Sequence, residues 1–189
     1  MSEPITHPKE EPPIAKLVRL LDAKANPPKG RAPDRGTLAL LRAGSRPGSQ
    51  HLAYAPLADL LNQAGAGASR LDDPVWRAIP TLFAWHRIHT SAPWCNFGFT
   101  GRRLAGSDRE TFDAHFRRIL ACDTVDELLK LLPAYVRRAA ANSVPINYVR
   151  LFWDLCEWRK SPEDAQGAKI CWAKAYYSVI EKEPTSSVS

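Results

Sequence analysis

Apolar residues along this chain recur at intervals of three and four, and no run of alternating β-branched residues between turns breaks the pattern, so the expected fold is all α. Ile14 to Ala25, with Leu17, Leu20 and Leu21 on one side, predicts a first helix. NPPKGRAP ends it, because a proline lacks a donor and disfavours helix at the residue before it. DRGTLALLRAG restarts the periodicity, with Asp34 as N-cap, Gly44 as the stop, and Leu40 and Leu41 turned toward a core. At about 100° per residue Arg42 lies about 20° from Arg35, which gives this helix a basic edge. The loop GSRPGS carries Arg46. Another helix spans about Tyr54 to Gln63 and ends in AGAGAS. The next starts near Asp72 or Asp73, takes Pro74 in its first position, and runs through VWRAIPTLFAWHRIHT with Pro80 as a potential kink.

From Ser91 to Gly106 the glycines of NFGFTGRRLAG predict a long connection rather than a regular helix or strand. Ser107 with Glu110 and Thr124 with Glu127 then read as capping boxes that start helices at about 108 and 125. In the first, Phe112, Phe116, Ile119 and Leu120 form an apolar stripe flanked by Arg117 and Arg118. Pro133 should bend or split the second. PINYVRLFWDLCEWRK is apolar nearly all round and reads as a central buried helix. A last helix, started by Ser161 and Pro162, should bury Ile170, Cys171, Trp172, Ala175 and Tyr176. The expectation is a compact bundle of about eight helices forming one domain over residues 14–180. It has an N-terminal lobe at about 14–91, a basic loop at 92–107 and a C-terminal lobe at about 108–180, with flexible tails at 1–13 and 181–189.

Composition changes this picture in two places. No stretch approaches the roughly 18 apolar residues needed to span a bilayer, and MSEPITHPKEEPP has no apolar signal core, so a cytoplasmic location without membrane contact is expected. The net charge is +6, and it is unevenly spread. Residues 31–55 hold Arg31, Arg35, Arg42 and Arg46 against Asp34 alone, and residues 101–120 hold Arg102, Arg103, Arg109, Arg117 and Arg118 against Asp108, Glu110 and Asp113. Every basic residue in both segments is arginine, whose planar fork of donors suits phosphate oxygens. A polyanionic partner follows.

Catalytic chemistry has little to rest on. His86 and His89 in WHRIH could share a helical face, but no further ligand stands at a recognisable spacing, so no metal is expected. Asp113 and His115, two apart, point away from each other on a helix. Cys95, Cys122, Cys156 and Cys171 show no C-x-x-C spacing and read as free buried thiols. Phosphate-loop and nucleophile-elbow motifs are absent, so neither an enzyme nor a cofactor is expected. Arg150 and Asp154, one turn apart in an apolar helix, read as a structural bridge. Trp94, Phe97 and Phe99 could stack on unpaired bases or tuck the loop onto the bundle. Arg102 and Arg103 follow a glycine, have no acid before Asp108, and with the other arginines point to phosphate contact.

The last third is recognisable as a set: VPINYVRLFWDLCEWRK, a short capped break, then AKICWAKAYY. This resembles the CasB family, the small subunit of the type I-E CRISPR Cascade complex, in which a leucine-aspartate-leucine helix ending in tryptophan precedes one closing in tryptophan, alanine and aromatics. RGTLALLRAG is similar to the family's early leucine–arginine helix, GFTGRRLA to its glycine-rich loop with arginine, and FRRILACD to its mid-chain basic helix, in that order over about residues 14–180. The resemblance implies an all-helical, non-catalytic protein, self-associated as two copies along the spine of an RNA-guided antiviral complex beside its backbone and large subunits. It also implies basic surfaces that hold crRNA, target DNA and the displaced strand without sequence preference. By position Arg42, Arg102, Arg117 and Arg118 inherit phosphate binding, while Arg35, Arg46, Arg103 and Arg109 join them by proximity. The chain departs from the family pattern in its proline-rich start, in Pro133 and in SAPWCNFGF. Two other readings stay open. One is a stand-alone nucleic-acid-binding regulator, whose only candidate recognition helix, DRGTLALLRAG, lacks the Asn or Gln that reads adenine. The other is a scaffold whose arginines meet acidic protein surfaces.

Overall fold

Local capping chemistry starts most of the helices where the apolar periodicity does. The structure, a computed structural model, describes residues 11–178 apart from Pro47, Ser107 and Asp108, with the backbone alone of Arg109 and Thr111. The chain divides after Arg87 into two compact units. Residues 1–10 of the first expected tail, the whole of the second at 181–189, and the Ser107 half of the first capping box lie outside the described residues.

In the first unit α1 (Pro13–Ala25) opens on a proline, whose missing donor would be unsatisfied there anyway, and buries Ile14, Leu17, Val18 and Leu21. It packs against α3 (Tyr54–Gln63) and α4 (Pro74–Trp85), while α2 (Arg35–Ala43) lies on α4. Leu38, Leu41, Leu57, Leu60, Ile79 and Phe83 complete this core. Leu40, expected inside with Leu41, is instead exposed, because the face α2 buries is the one carrying Leu38 and Leu41. Asp34 caps α2 by accepting from the Thr37 amide at 3.0 Å, and Lys24 Nζ stands 2.9 Å from its other oxygen. Those two hydrogen bonds, the Thr37 amide first, hold its carboxyl at about 2 rather than the ordinary 3.8. A carboxyl whose pKa is lower folded than unfolded stabilises the fold above the unfolded value, and that contribution is lost as pH falls through 3.8 toward 2. Asp34→Ala should therefore lower the unfolding free energy by about 1 kcal/mol at neutral pH, read by urea titration. The gap should narrow below pH 3.8 and close only as pH falls through about 2.

Helix α4 stops at Trp85 rather than continuing to Thr90. His86 is extended (φ −134°, ψ 108°), and the next residues pair with a later segment: Ile146 N donates to Ile88 O at 3.1 Å and Thr90 N to Ile146 O at 3.2 Å. Pairing satisfies the backbone groups that a longer helix would have satisfied internally. The shared histidine face expected of a continuing helix therefore does not form.

The second unit comprises α5 (Phe97–Ala105), α6 (Arg109–Leu120), α7 (Val125–Ala141), α8 (Tyr148–Lys160) and α9 (Pro162–Tyr177). Helices α5 and α8 both pack on α9. The connection expected over 92–107 thus contains a helix. Asn96 caps it by accepting from the Phe99 amide at 3.1 Å, and its two glycines face inward. A Cβ on Gly98 would stand 2.0 Å from the Trp172 carbonyl oxygen, and one on Gly101 2.8 Å from the Phe116 ring. Close packing against α9 and α6 outweighs the weak helix propensity of glycine. Arg102 and Arg103 then fall in the last helical turn, where the backbone dipole favours cations.

The Thr124–Glu127 capping box is formed in both directions, and α7 runs through Pro133 as one helix instead of splitting. Helix α8 buries Tyr148, Leu151, Phe152, Leu155 and Trp158 but is not enclosed all round: Trp153 is 48% exposed. Helix α9 buries Ala165, Ala168, Trp172 and Tyr176, a single stripe at helical spacing. Ile170, Cys171 and Ala175, expected inside, lie off that stripe, the first two exposed and Ala175 half-buried. All regular structure among the described residues is helical, including two short 3-10 turns at Gln50–Ala53 and Ala68–Arg70.

Candidate nucleic-acid interface

The arginines singled out in the sequence sit mainly at helix ends. In the first unit Arg35 opens α2 and is exposed. Arg42 occupies its last turn and Arg46 follows it, also exposed. The Arg42 guanidinium lies 6.0 Å from the centre of the Trp85 ring. Ala39, Arg42, Ala43, Arg46 and Trp85 surround a cavity of about 330 Å³. Trp85 was not a candidate in the sequence. Only the packing of α2 on α4 brings it to Arg42, and no spacing along the chain encodes that.

In the second unit Arg102 is half-buried and donates to Ser178 Oγ at 3.1 Å, whereas Arg103 is exposed with its guanidinium 5.9 Å from the Phe99 ring. Phe99 meets the exposed Trp94 edge to face at 4.6 Å. Phe97 belongs to the core, against Trp172 at 5.0 Å, so the three loop aromatics divide into one packing residue and two surface ones. Arg117 and Arg118 are exposed on α6. Tyr177, and more weakly the charge of Asp113, raises the Arg117 pKa. The Arg109 side chain lies outside the described residues. None of the other seven arginines forms an ion pair with a carboxylate among the described residues. Arg138 was also missed. It lies 4.8 Å from the Phe112 ring, beside a cavity of about 230 Å³ that His115 and Tyr135 also line.

The acid on α8 has a different task. Asp154 is 4% exposed and accepts from Arg150 Nε at 2.8 Å and from Trp172 Nε1 at 2.7 Å, tying α8 to α9. Burial pushes its carboxyl pKa up, against the opposing pull of Trp172 and Arg150. His86 is buried in the first unit, and His89 Nδ1 lies 3.2 Å from the Ile146 carbonyl in the second. Asp113 accepts from the Tyr176 hydroxyl and is not aimed at His115. Cys95 and Cys122 are buried and burial raises both thiol pKa values, Cys156 is half-buried, and Cys171 is exposed, contrary to the expectation of four buried thiols. Among the described residues no three His, Cys, Asp or Glu side chains gather where a metal could be held, and no helix is long and apolar enough to cross a membrane.

A family profile described as CRISPR-associated protein Cse2 matches residues 37–177. The chain is similar in structure to CasB from Thermobifida fusca, at 20% identity and a TM-score of 0.65, over 87% of this chain and 96% of that one. At that identity the likeness is one of fold. No curated protein matches the chain by sequence.

Proposed function

The chain belongs to the CRISPR-associated protein Cse2 family, and from that membership we propose that it is a non-catalytic small subunit of a type I-E Cascade surveillance complex in the cytoplasm. In this reading two copies stand beside the backbone and large subunits, and their arginines hold the sugar-phosphate chains of crRNA, target DNA and the displaced strand. One observation carries it. Guanidinium groups at Arg35, Arg42, Arg103, Arg117 and Arg118 on helices, and at Arg46 just past the end of α2, have no carboxylate partners among the described residues, in a chain whose surplus charge is concentrated there. Arg102 and Arg109 complete the set.

Each phosphate neutralised by arginine releases condensed counterion, so spread contacts provide affinity without sequence preference, and pairing with the guide supplies specificity. Opening the target duplex against the guide is nearly balanced in free energy, and modest backbone contacts are enough to hold the displaced strand away. Arg102→Ala combined with Arg103→Ala should weaken binding to single strands of every sequence alike. It should also flatten the slope of log affinity against log salt by about 1.4, two contacts at roughly 0.7 each. Fluorescence anisotropy over a salt series measures both quantities. A double variant with the wild-type slope counts against the assignment.

A further inference from the structure

The cavity between α2 and α4 combines features that phosphate binding alone does not need. Its lining combines an indole, two alanines one helical turn apart and two arginines, with the Arg42 guanidinium 6.0 Å from the centre of the indole ring. The carbonyls that end α2 are already occupied: Ser45 Oγ donates to Arg42 O at 2.7 Å, Gly44 N to Leu40 O at 3.2 Å and Arg46 N to Ala43 O at 3.0 Å. The helix end therefore places no demand on the Arg42 and Arg46 forks. A simple anion would leave the Trp85 face and the alanine wall unused, and an apolar side chain would leave two cations facing it. A planar ring carrying a phosphate uses all of them, since every base offers a π-face and arginine takes phosphate with a planar fork. A volume of about 330 Å³ falls at the lower end of small-ligand sites, enough for a single nucleotide and far too little for a duplex.

We propose that this cavity receives one unstacked nucleotide of a single strand, with its base against Trp85 and its phosphates on Arg42 and Arg46. The proposal rests on the reading of the arginine surfaces as nucleic-acid contacts, and adds to it a preference for strands that carry bases. Because stacking is tolerant of base identity, the site reads the presence of a base and not its sequence.

The test uses the full-length protein, a fluorescent single-stranded DNA and an abasic strand of equal length and charge, with anisotropy measured over a salt series. Wild-type protein should bind the intact strand about tenfold tighter than the abasic one. Trp85→Ala should abolish that preference while leaving abasic binding and its salt slope in place. Ala39→Leu, on the exposed side of α2, should do the same by filling the cavity with the indole and both arginines intact, which guards against a folding defect in the first variant. Arg42→Ala should weaken both strands and lower the slope. Equal wild-type affinity for the two strands, with a normal salt slope, would overturn the nucleotide pocket and leave the backbone-binding reading standing. A preference that survives both cavity variants would also overturn it, by locating base contact elsewhere. Failure to bind either strand would overturn both readings together.

Discussion

Gly98→Ala should unfold the second unit or come close to it, whereas Gly167→Ala on the neighbouring helix should do no harm. A single methyl at position 98 would sit 2.0 Å from the carbonyl oxygen of Trp172, 2.7 Å from its carbonyl carbon and 2.8 Å from its Cα. All three atoms are backbone, so no rotamer change gives relief, and α5 must lift off α9. Since α5 carries Phe97 into the ring cluster of Tyr135 and Trp172, lifting it opens the core, and we expect a loss of about 3 kcal/mol or more. Gly167 has nothing within 4 Å of its added Cβ and lies inside α9, so alanine there should raise stability by about 0.5–1 kcal/mol. Urea denaturation followed by tryptophan fluorescence separates the two outcomes. Similar midpoints for both variants would contradict the close approach of α5 and α9.

Asp154→Ala should be the next most damaging change, at about 3 kcal/mol, because it leaves the buried Trp172 indole N–H without an acceptor and removes the partner of Arg150. Asp154→Asn keeps an acceptor for the indole and should be milder. The pH dependence distinguishes the charge from the hydrogen bonds. Burial raises the Asp154 carboxyl pKa, with Glu157 adding to the rise, so the folded state binds the proton more tightly than the unfolded state and ionisation opposes folding. The stability advantage of wild type over Asp154→Asn should therefore grow as pH falls from neutral toward the ordinary carboxyl value of 3.8. A margin that shrinks instead would mean that the pull of Arg150 and Trp172 exceeds the desolvation penalty.

Local chemistry made much of this fold legible in the sequence. Asp34, Thr124 and Ser161 cap helices α2, α7 and α9 through contacts within three residues, and such contacts are written in consecutive letters. Helix α5 was not legible for the opposite reason. Its glycines read as turn residues until the Trp172 backbone of α9 lies against Gly98 and the Phe116 ring of α6 against Gly101, where a side chain has no room without movement of its neighbours. The overlong reading of α4 has a similar origin, since the pairing of residues 88–90 with Ile146 joins segments far apart in the chain. Ile170, Cys171 and Ala175 read as core because α9 is rich in apolar residues on more than one side, so periodicity alone does not choose a face. For the candidate interface, the arginines stood out by clustering and residue type. Trp85 and Arg138 did not, because their neighbours Arg42 and Phe112 come from other helices.

The last turn of α9 holds a further consequence. Arg102 from α5 donates to Ser178 Oγ, and Tyr177, the residue before it, raises the pKa of Arg117 on α6, so two cations from different helices both answer to the end of a third. Unwinding that terminus by one turn would release Arg102 and carry Tyr177 away from Arg117 in the same event.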